Sequence, residues 1–249
     1  MENAKLNIED KDIVVPGEVL ASGMGYLPSQ GTYRLGDNIL ASRLGVARLD
    51  GKVIKILPLS GKYLPRKGDV IIGKVVDINF SGWSVETNSA YAAMLSMKDA
   101  TGDFIRRGAD LTRYFDIEDY IVTKIYNVTS QNLIDLTMKG PGLKKLEGGR
   151  IINVNPSKVP RIIGKQGSMV SMVKRATNCN IIVGQNGVVW IKGLNPVDEL
   201  LTVETIGKIE EESHISGLTD RIKEFLESKG KTVVIEPITE NAGNNEDGE

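Results

Sequence analysis

The sequence predicts a multidomain, β-rich chain that ends in an α+β module, and three observations carry that prediction. Short apolar alternations of period two, separated by turn residues, recur up to about Met138. Aromatic residues make up only 5% of the 249 residues while glycine reaches 27, which suits several small cores of short strands better than one large sheet. Beyond residue 150 the spacing becomes helical, in Met169, Met172, Val173 and Ala176 and again in Leu218, Ile222, Phe225 and Leu226.

Residues 1–62 form a small N-terminal β domain. Its first dozen residues are polar and expected to be loose. Ile13-Val14-Val15-Pro16-Gly17-Glu18 opens the strands, and a hairpin turns at Asp50-Gly51 between Val46 to Leu49 and Val53 to Leu57. Residues 63–142 form a second module, entered through Tyr63-Leu64-Pro65-Arg66-Lys67-Gly68-Asp69. Strands follow at Val70 to Ile78, through Val85, at Tyr91 to Leu95, at Tyr120 to Val128 and through Ile134, Leu136 and Met138. Tyr120, Val122, Tyr126 and Val128 are expected to share one face, and the polar stretch from Lys98 to Glu118 reads as a loop. Five strands with a long connection before the fourth fit an OB-type barrel.

Lys139-Gly140-Pro141-Gly142 reads as a linker. Residues 143–238 then give a strand at Arg150 to Val154, a short helix at Ser157 to Ile163, a glycine joint and a second helix. A hairpin follows at Asn180 to Val183 and Val188 to Ile191, around Gly184-Gln185-Asn186-Gly187, and a third helix is capped by Asn195-Pro196 with acids in its first turn. The order is βααββα, with an extra C-terminal helix stopped by Gly230 and a short strand at Thr232 to Ile235. The Asn/Gly/Glu stretch of residues 239–249 is an expected disordered acidic tail.

Formal net charge is −1, yet Lys139, Lys144, Lys145, Arg150, Lys158, Arg161, Lys165, Lys174 and Arg175 cluster against the single acid Glu147. Such a cluster is either a phosphate-binding footprint or a solvated basic face. One cysteine, Cys179, and one histidine, His214, exclude a disulfide framework within the chain and a His/Cys zinc cluster. No metal, cofactor or catalytic residue is expected, and Glu210-Glu211-Glu212 reads as a solvated helical face. No apolar run approaches the ~18 residues of a membrane span and the first residues lack the apolar core of a signal peptide, so a soluble cytoplasmic protein with no membrane contact is expected.

The motif that carries chemistry is Gly164-Lys165-Gln166-Gly167, between two helices. Its glycines let a nucleic-acid backbone approach, amides near Ser168 and Met169 open the next helix toward phosphate, and Lys165 adds charge. With Ile162-Ile163 and Arg161 before it, an apolar helix behind it and the βααββα order, residues 143–238 resemble a type I KH domain. The candidate contacts here are Gly164, Lys165, Gln166, Gly167, Arg161 and Lys158.

Residues 63–142 resemble the S1 RNA-binding domain family through Pro65-x-x-Gly68-Asp69, Ile72-Gly73-Lys74-Val75 and Phe80-x-Gly82-Trp83. The resemblance places base-stacking aromatics at Phe80 and Trp83. Base stacking contributes about 1–3 kcal/mol per base, and the alternative is that one aromatic, Trp83 before Phe80, is core. Ala92-Ala93-Met94-Leu95 stands where many S1 domains carry a histidine. Lys74 lies on the matching strand, and Arg106, Arg107 and Arg113 are either phosphate contacts or ordinary loop charges.

A β domain opening Val15-Pro16-Gly17-Glu18, then S1, then a single KH, is similar to the RNA-binding cap subunits of the archaeal-type exosome. The resemblance implies a non-catalytic subunit, three copies of which sit on a ring of phosphorolytic nuclease subunits. It implies further that they hold single-stranded RNA and guide its 3′ end into the pore, and that assembly rests largely on the N-terminal domain. The rival readings are an S1/KH transcription or translation factor acting on nascent RNA or ribosomes, and an RNA hydrolase or phosphorylase, which would need clustered carboxylates or a phosphate pocket.

Overall fold

The computed structural model describes residues 5–59, 61–106 and 108–232. These divide into two units: the chain up to Pro160 together with Val183–Trp190, and Arg161–Ile182 together with the chain from Ile191 onward.

The first unit opens with eight short strands: β1 Lys5–Leu6, β2 Ile13–Val14, β3 Val19–Ser22, β4 Leu27–Pro28, β5 Thr32–Leu35, β6 Asn38–Ala41, β7 Gly45–Asp50 and β8 Val53–Pro58. They form two four-stranded sheets, ordered β1-β3-β6-β5 and β2-β7-β8-β4. Alternation sets what is buried: in β8, Ile54 and Ile56 join Val14, Leu20, Ile39 and Ala47 in the core while Lys55 between them pairs with Asp50. The hairpin turns one residue later than expected, because Asp50 pairs with Val53 and leaves Gly51-Lys52 as the loop. Residues 5–12 are not loose. Lys5 and Leu6 pair with Ser22 and Ala21, the Asn7 amide donates to the Leu20 carbonyl, and Ile8 is buried, so backbone pairing outweighs the polar composition.

The barrel follows, from β9 Val70–Asn79, β10 Gly82–Glu86, β11 Ala93–Ser96, β12 Tyr120–Val128 and β13 Ile134–Thr137. β13 pairs with both β11 and β12, which closes the five strands. Just beyond the stretch expected as a linker, β14, Lys144–Leu146, adds a sixth strand along β12. On β12 the core residues are Ile121 and Ile125 and Tyr126 is 63% exposed, while a register shift between Ile125 and Asn127 brings Val128 back against the core, so the four residues expected on one face do not share it. Both faces of that strand carry apolar residues, Ile121 and Ile125 on one and Val122 and Tyr126 on the other, so pairing with β9 rather than pattern decides the register.

Past the barrel come β15 Arg150–Asn153, a 3-10 turn at Pro156–Lys158, α1 Val159–Ile163, α2 Ser168–Thr177, β16 Asn180–Val183, β17 Val188–Lys192, α3 Pro196–Glu211 and α4 Leu218–Ser228. The βααββα order and the extra helix are therefore present, with the three strands ordered β15-β17-β16. Met169, Met172, Val173 and Ala176 are all buried, as their spacing requires. Asn195 occupies the position before α3 but makes no side-chain cap, and instead its amide donates to the Asp198 carboxylate at 3.4 Å. Glu212 is not a solvated residue. Lys208 at 2.6 Å and the Arg221 guanidinium at 2.8 Å hold it, which ties the end of α3 to α4 and keeps its carboxyl below the usual carboxylate range. Phe225 of α4 lies under the ammonium groups of Lys208 and Lys229, 5.4 and 5.3 Å from the ring centre. Val233 to Ile235 and the acidic tail lie outside the described residues.

Candidate nucleic-acid interface

In the second unit the glycine loop stands at the head of α2. Gly164 and Gly167 have φ of +76° and +80°, and Gln166 between them has φ of +52°. This left-handed run turns the chain sharply enough for Lys165 and Gln166 to project into solvent. A Cβ at Gly164 would approach the Met169 backbone nitrogen to 2.7 Å, whereas one at Gly167 would meet nothing within 4 Å. Of the amides expected to face phosphate, that of Ser168 is already donated to the Lys165 carbonyl. Arg161 is exposed on α1. Lys158 closes the 3-10 turn and belongs to the first unit.

In the first unit the strand register brings several candidates to one end of the barrel. Gly82 pairs with Asn79 across the Phe80-Ser81 turn and also with Ser96, and the Met97 amide donates to the Ser81 carbonyl. The connection that follows β11 therefore leaves from the end where Phe80 sits, and it returns at Asp119, whose carbonyl accepts from Val75 on the same half of β9. Phe80 is 94% exposed there. Arg106 is exposed, and Arg113 is exposed with its guanidinium 3.4 Å from Asp110. Arg107 lies outside the described residues. Lys74 is half-buried and engaged by Glu118 at 2.6 Å, which holds its ammonium pKa above the ordinary value, so phosphate would have to replace that carboxylate.

Trp83 is a correction. It is 0% exposed, its indole Nε1 donates to the Phe115 carbonyl at 2.8 Å, and its ring meets Tyr114 and Phe115 edge-on. No base can stack on it. It holds the β11–β12 connection onto the barrel. Phe80 and Trp83 part company because the turn between them sends one outward and the other inward. The basic cluster is also less open than its sequence suggests, since Lys139 lies 4.0 Å from Asp99 and Lys145 pairs with Asp119.

A residue that sequence reasoning passed over is Asn186. Gly184-Gln185-Asn186-Gly187 was expected only as a turn, yet Asn186 is wholly buried against β9. Its Oδ1 accepts from the Ile72 amide at 3.3 Å, and its Nδ2 donates to the carbonyls of Ile72 at 2.8 Å and Thr87 at 3.0 Å. The side-chain amide thus pairs with both backbone groups of Ile72 as a neighbouring strand would. Gln185 adds a backbone bond to the Val70 carbonyl, and Asn88 donates to the Asn186 carbonyl. The one available signal was a second Gly-x-x-Gly whose middle carries Asn. Among the described residues, no three His, Cys, Asp or Glu side chains are grouped to hold a metal ion, and no helix is long and apolar enough to cross a membrane.

Three family models match the chain. One described as a KH domain covers residues 149–197, one described as the exosome complex exonuclease RRP4 N-terminal region covers residues 13–50, and one described as the RRP4 S1 domain covers residues 62–127. The chain is 44% identical over 243 residues to the exosome complex component Rrp4 of Thermococcus kodakarensis, covering 95% of this chain and 94% of that one. It is 42% identical over 262 residues to the component of the same name from Pyrococcus horikoshii, covering 98% of both. A crystal structure described, provisionally, as an exosome complex RNA-binding protein superposes with a TM-score of 0.62 at 34% identity, over 68% of this chain and 98% of that one.

Proposed function

The chain belongs to the Rrp4 family of exosome complex components, and on that premise we propose that it is a non-catalytic RNA-binding cap, which holds single-stranded RNA and guides its 3′ end into the pore of a phosphorolytic ring. Three such caps per ring, working in the cytoplasm, complete the proposal.

The observation that carries the RNA half is Phe80, almost fully exposed at a barrel end that also bears exposed arginines. Leaving a Phe side chain in water forgoes about 1.5–3 kcal/mol of burial, and a π-face beside cations is what a sequence-tolerant single-strand site requires. The Gly164–Gly167 loop, with Lys165 and Gln166 projecting, supplies a second contact of the backbone-gripping kind.

Two measurements test the proposal. Affinity of the full chain for labelled single-stranded RNA should fall steeply with salt and fall again in Phe80→Ala, with the melting temperature unchanged. Native mass of the purified assembly should return nuclease subunits as partners, and the chain alone with RNA, magnesium and phosphate should release no nucleotides. Processive 3′ trimming by the isolated chain, or recovery with ribosomes or RNA polymerase and never with nuclease subunits, would overturn it.

A further inference from the structure

We infer that Phe104 is a second base-stacking residue, set at the same barrel end as Phe80, so that the barrel holds two separated bases of one strand. The inference rests on the RNA-binding reading above and adds a contact that neither the motif nor the comparisons assign. The chain has four phenylalanines. Phe115 is barrel core, Phe225 lies under two lysines, and Phe80 and Phe104 are 94% and 87% exposed.

An exposed aromatic on a slack loop would mean little. Phe104 is not on one. The connection that carries it is pinned to the barrel core by Ala100 before it and by Ile105, Leu111 and Phe115 after it. Because Ile105 is drawn inward, its neighbour Phe104 is turned out. The Thr101 hydroxyl donates to the Asp103 carbonyl at 2.8 Å, and the Ala109 amide donates to the Arg106 carbonyl. Trp83 fixes the far end of the same segment through Phe115. Holding the ring in place before RNA arrives removes part of the ordering cost that a stacking contact otherwise carries.

The register places this segment with Phe80. Ser81 of the Phe80 turn accepts the Met97 amide, the helical turn Met97–Ala100 follows directly, and Phe104 is four residues further on. The occupant is argued from charge. Arg106 is exposed two residues away, and Lys98 and Lys139 are exposed at the same end, the latter beside Asp99. Asp103 is the one exposed acid adjoining Phe104. An apolar ring rimmed by cations fits a base flanked by phosphates.

The test uses the full chain and a ~16-nucleotide oligouridylate, the upper end of what one OB barrel covers. Phe104→Ala should cost about tenfold in affinity, with melting temperature and salt slope unchanged, because stacking releases no counterions. Arg106→Ala should instead lower the slope, and Phe104→Trp should bind as the wild type does. On the same RNA with bases removed, wild type should weaken and Phe104→Ala should lose nothing more. Wild-type affinity in Phe104→Ala, a penalty that persists on base-free RNA, or a lowered melting temperature each overturns the inference. So does intact RNA binding with weakened recovery of exosome subunits, which would make Phe104 a protein contact. Failure of the wild type itself to bind RNA removes the RNA reading first, and is told apart by that.

Discussion

The chain carries two Gly-x-x-Gly tetrapeptides twenty residues apart, and they have opposite fates. Gly164-Lys165-Gln166-Gly167 offers both middle residues to solvent from a left-handed backbone run. Gly184-Gln185-Asn186-Gly187 is buried at three of its four positions and is pinned on β9 by Asn186. The glycines answer different needs. Gly167 has open space around it and is required for its φ, while a Cβ at Gly184 would come within 2.8 Å of the Ile72 amide nitrogen, so close approach requires that one. The pattern alone specifies neither role. The middle pair decides, because Lys-Gln can only face water, whereas a short amide can complete a strand's hydrogen bonding.

The largest effect should come from the buried loop. Asn186→Ala leaves the amide and carbonyl of Ile72 and the carbonyl of Thr87 without a protein partner. At about 1–3 kcal/mol for each buried group left unmade, less whatever entering water recovers, the expected loss is about 3 kcal/mol. Urea denaturation measures it, with exposed Gln185→Ala as a control expected to stay within about 0.5 kcal/mol. Equal and small losses in both would remove the distinction between the two loops.

Next comes the exposed loop. Lys165→Asp with Gln166→Asp keeps both positions in water and should not lower the urea midpoint. Two acids where phosphate is proposed to sit should cost about tenfold in RNA affinity at low salt, close to 1.4 kcal/mol, with a shallower salt slope. Gly164 is the wrong position for such a test. Its φ and the nearness of Met169 would make any side chain there a folding defect. Unchanged affinity in the double variant would leave the barrel end as the RNA surface and make the two loops alike in being structural.

What could be read in advance follows the range of the interactions. The barrel strands and the buried face of α2 were legible because period-two and 3.6-residue spacing is local. The core face of β12 was not, since Ile121 and Val122 offer both alternations and only the partner strand chooses. Asn186 was illegible for a related reason, as its partner Ile72 lies 114 positions away. Phe80 and Trp83 sat three apart in an aromatic motif, but the turn between them, not the spacing, determines that one faces water and the other the core. Phe104 escaped notice because no motif frames it. Its orientation follows from Ile105, whose burial is a tertiary fact.

The smallest effect isolates backbone from chemistry in the exposed loop. Gln166 sits at φ of +52°, a conformation that costs an ordinary L-residue about 1 kcal/mol. Replacing it with Gly removes that cost but adds about 0.4–1 kcal/mol of unfolded-chain freedom, so the two nearly cancel. Asn tolerates the left-handed region without that entropy penalty, and among the described non-glycine residues at positive φ, Asn88, Asn132 and Asn178 already use it. Gln166→Asn should therefore stabilise the fold by about 0.5 kcal/mol, Gln166→Gly should be near neutral, and RNA affinity should change in neither, because Lys165 carries the charge. A loss of RNA binding in Gln166→Asn would mean that the glutamine side chain itself touches the strand. A loss of stability would mean that the loop's left-handed run is relaxed in solution, and with it the difference between the two tetrapeptides.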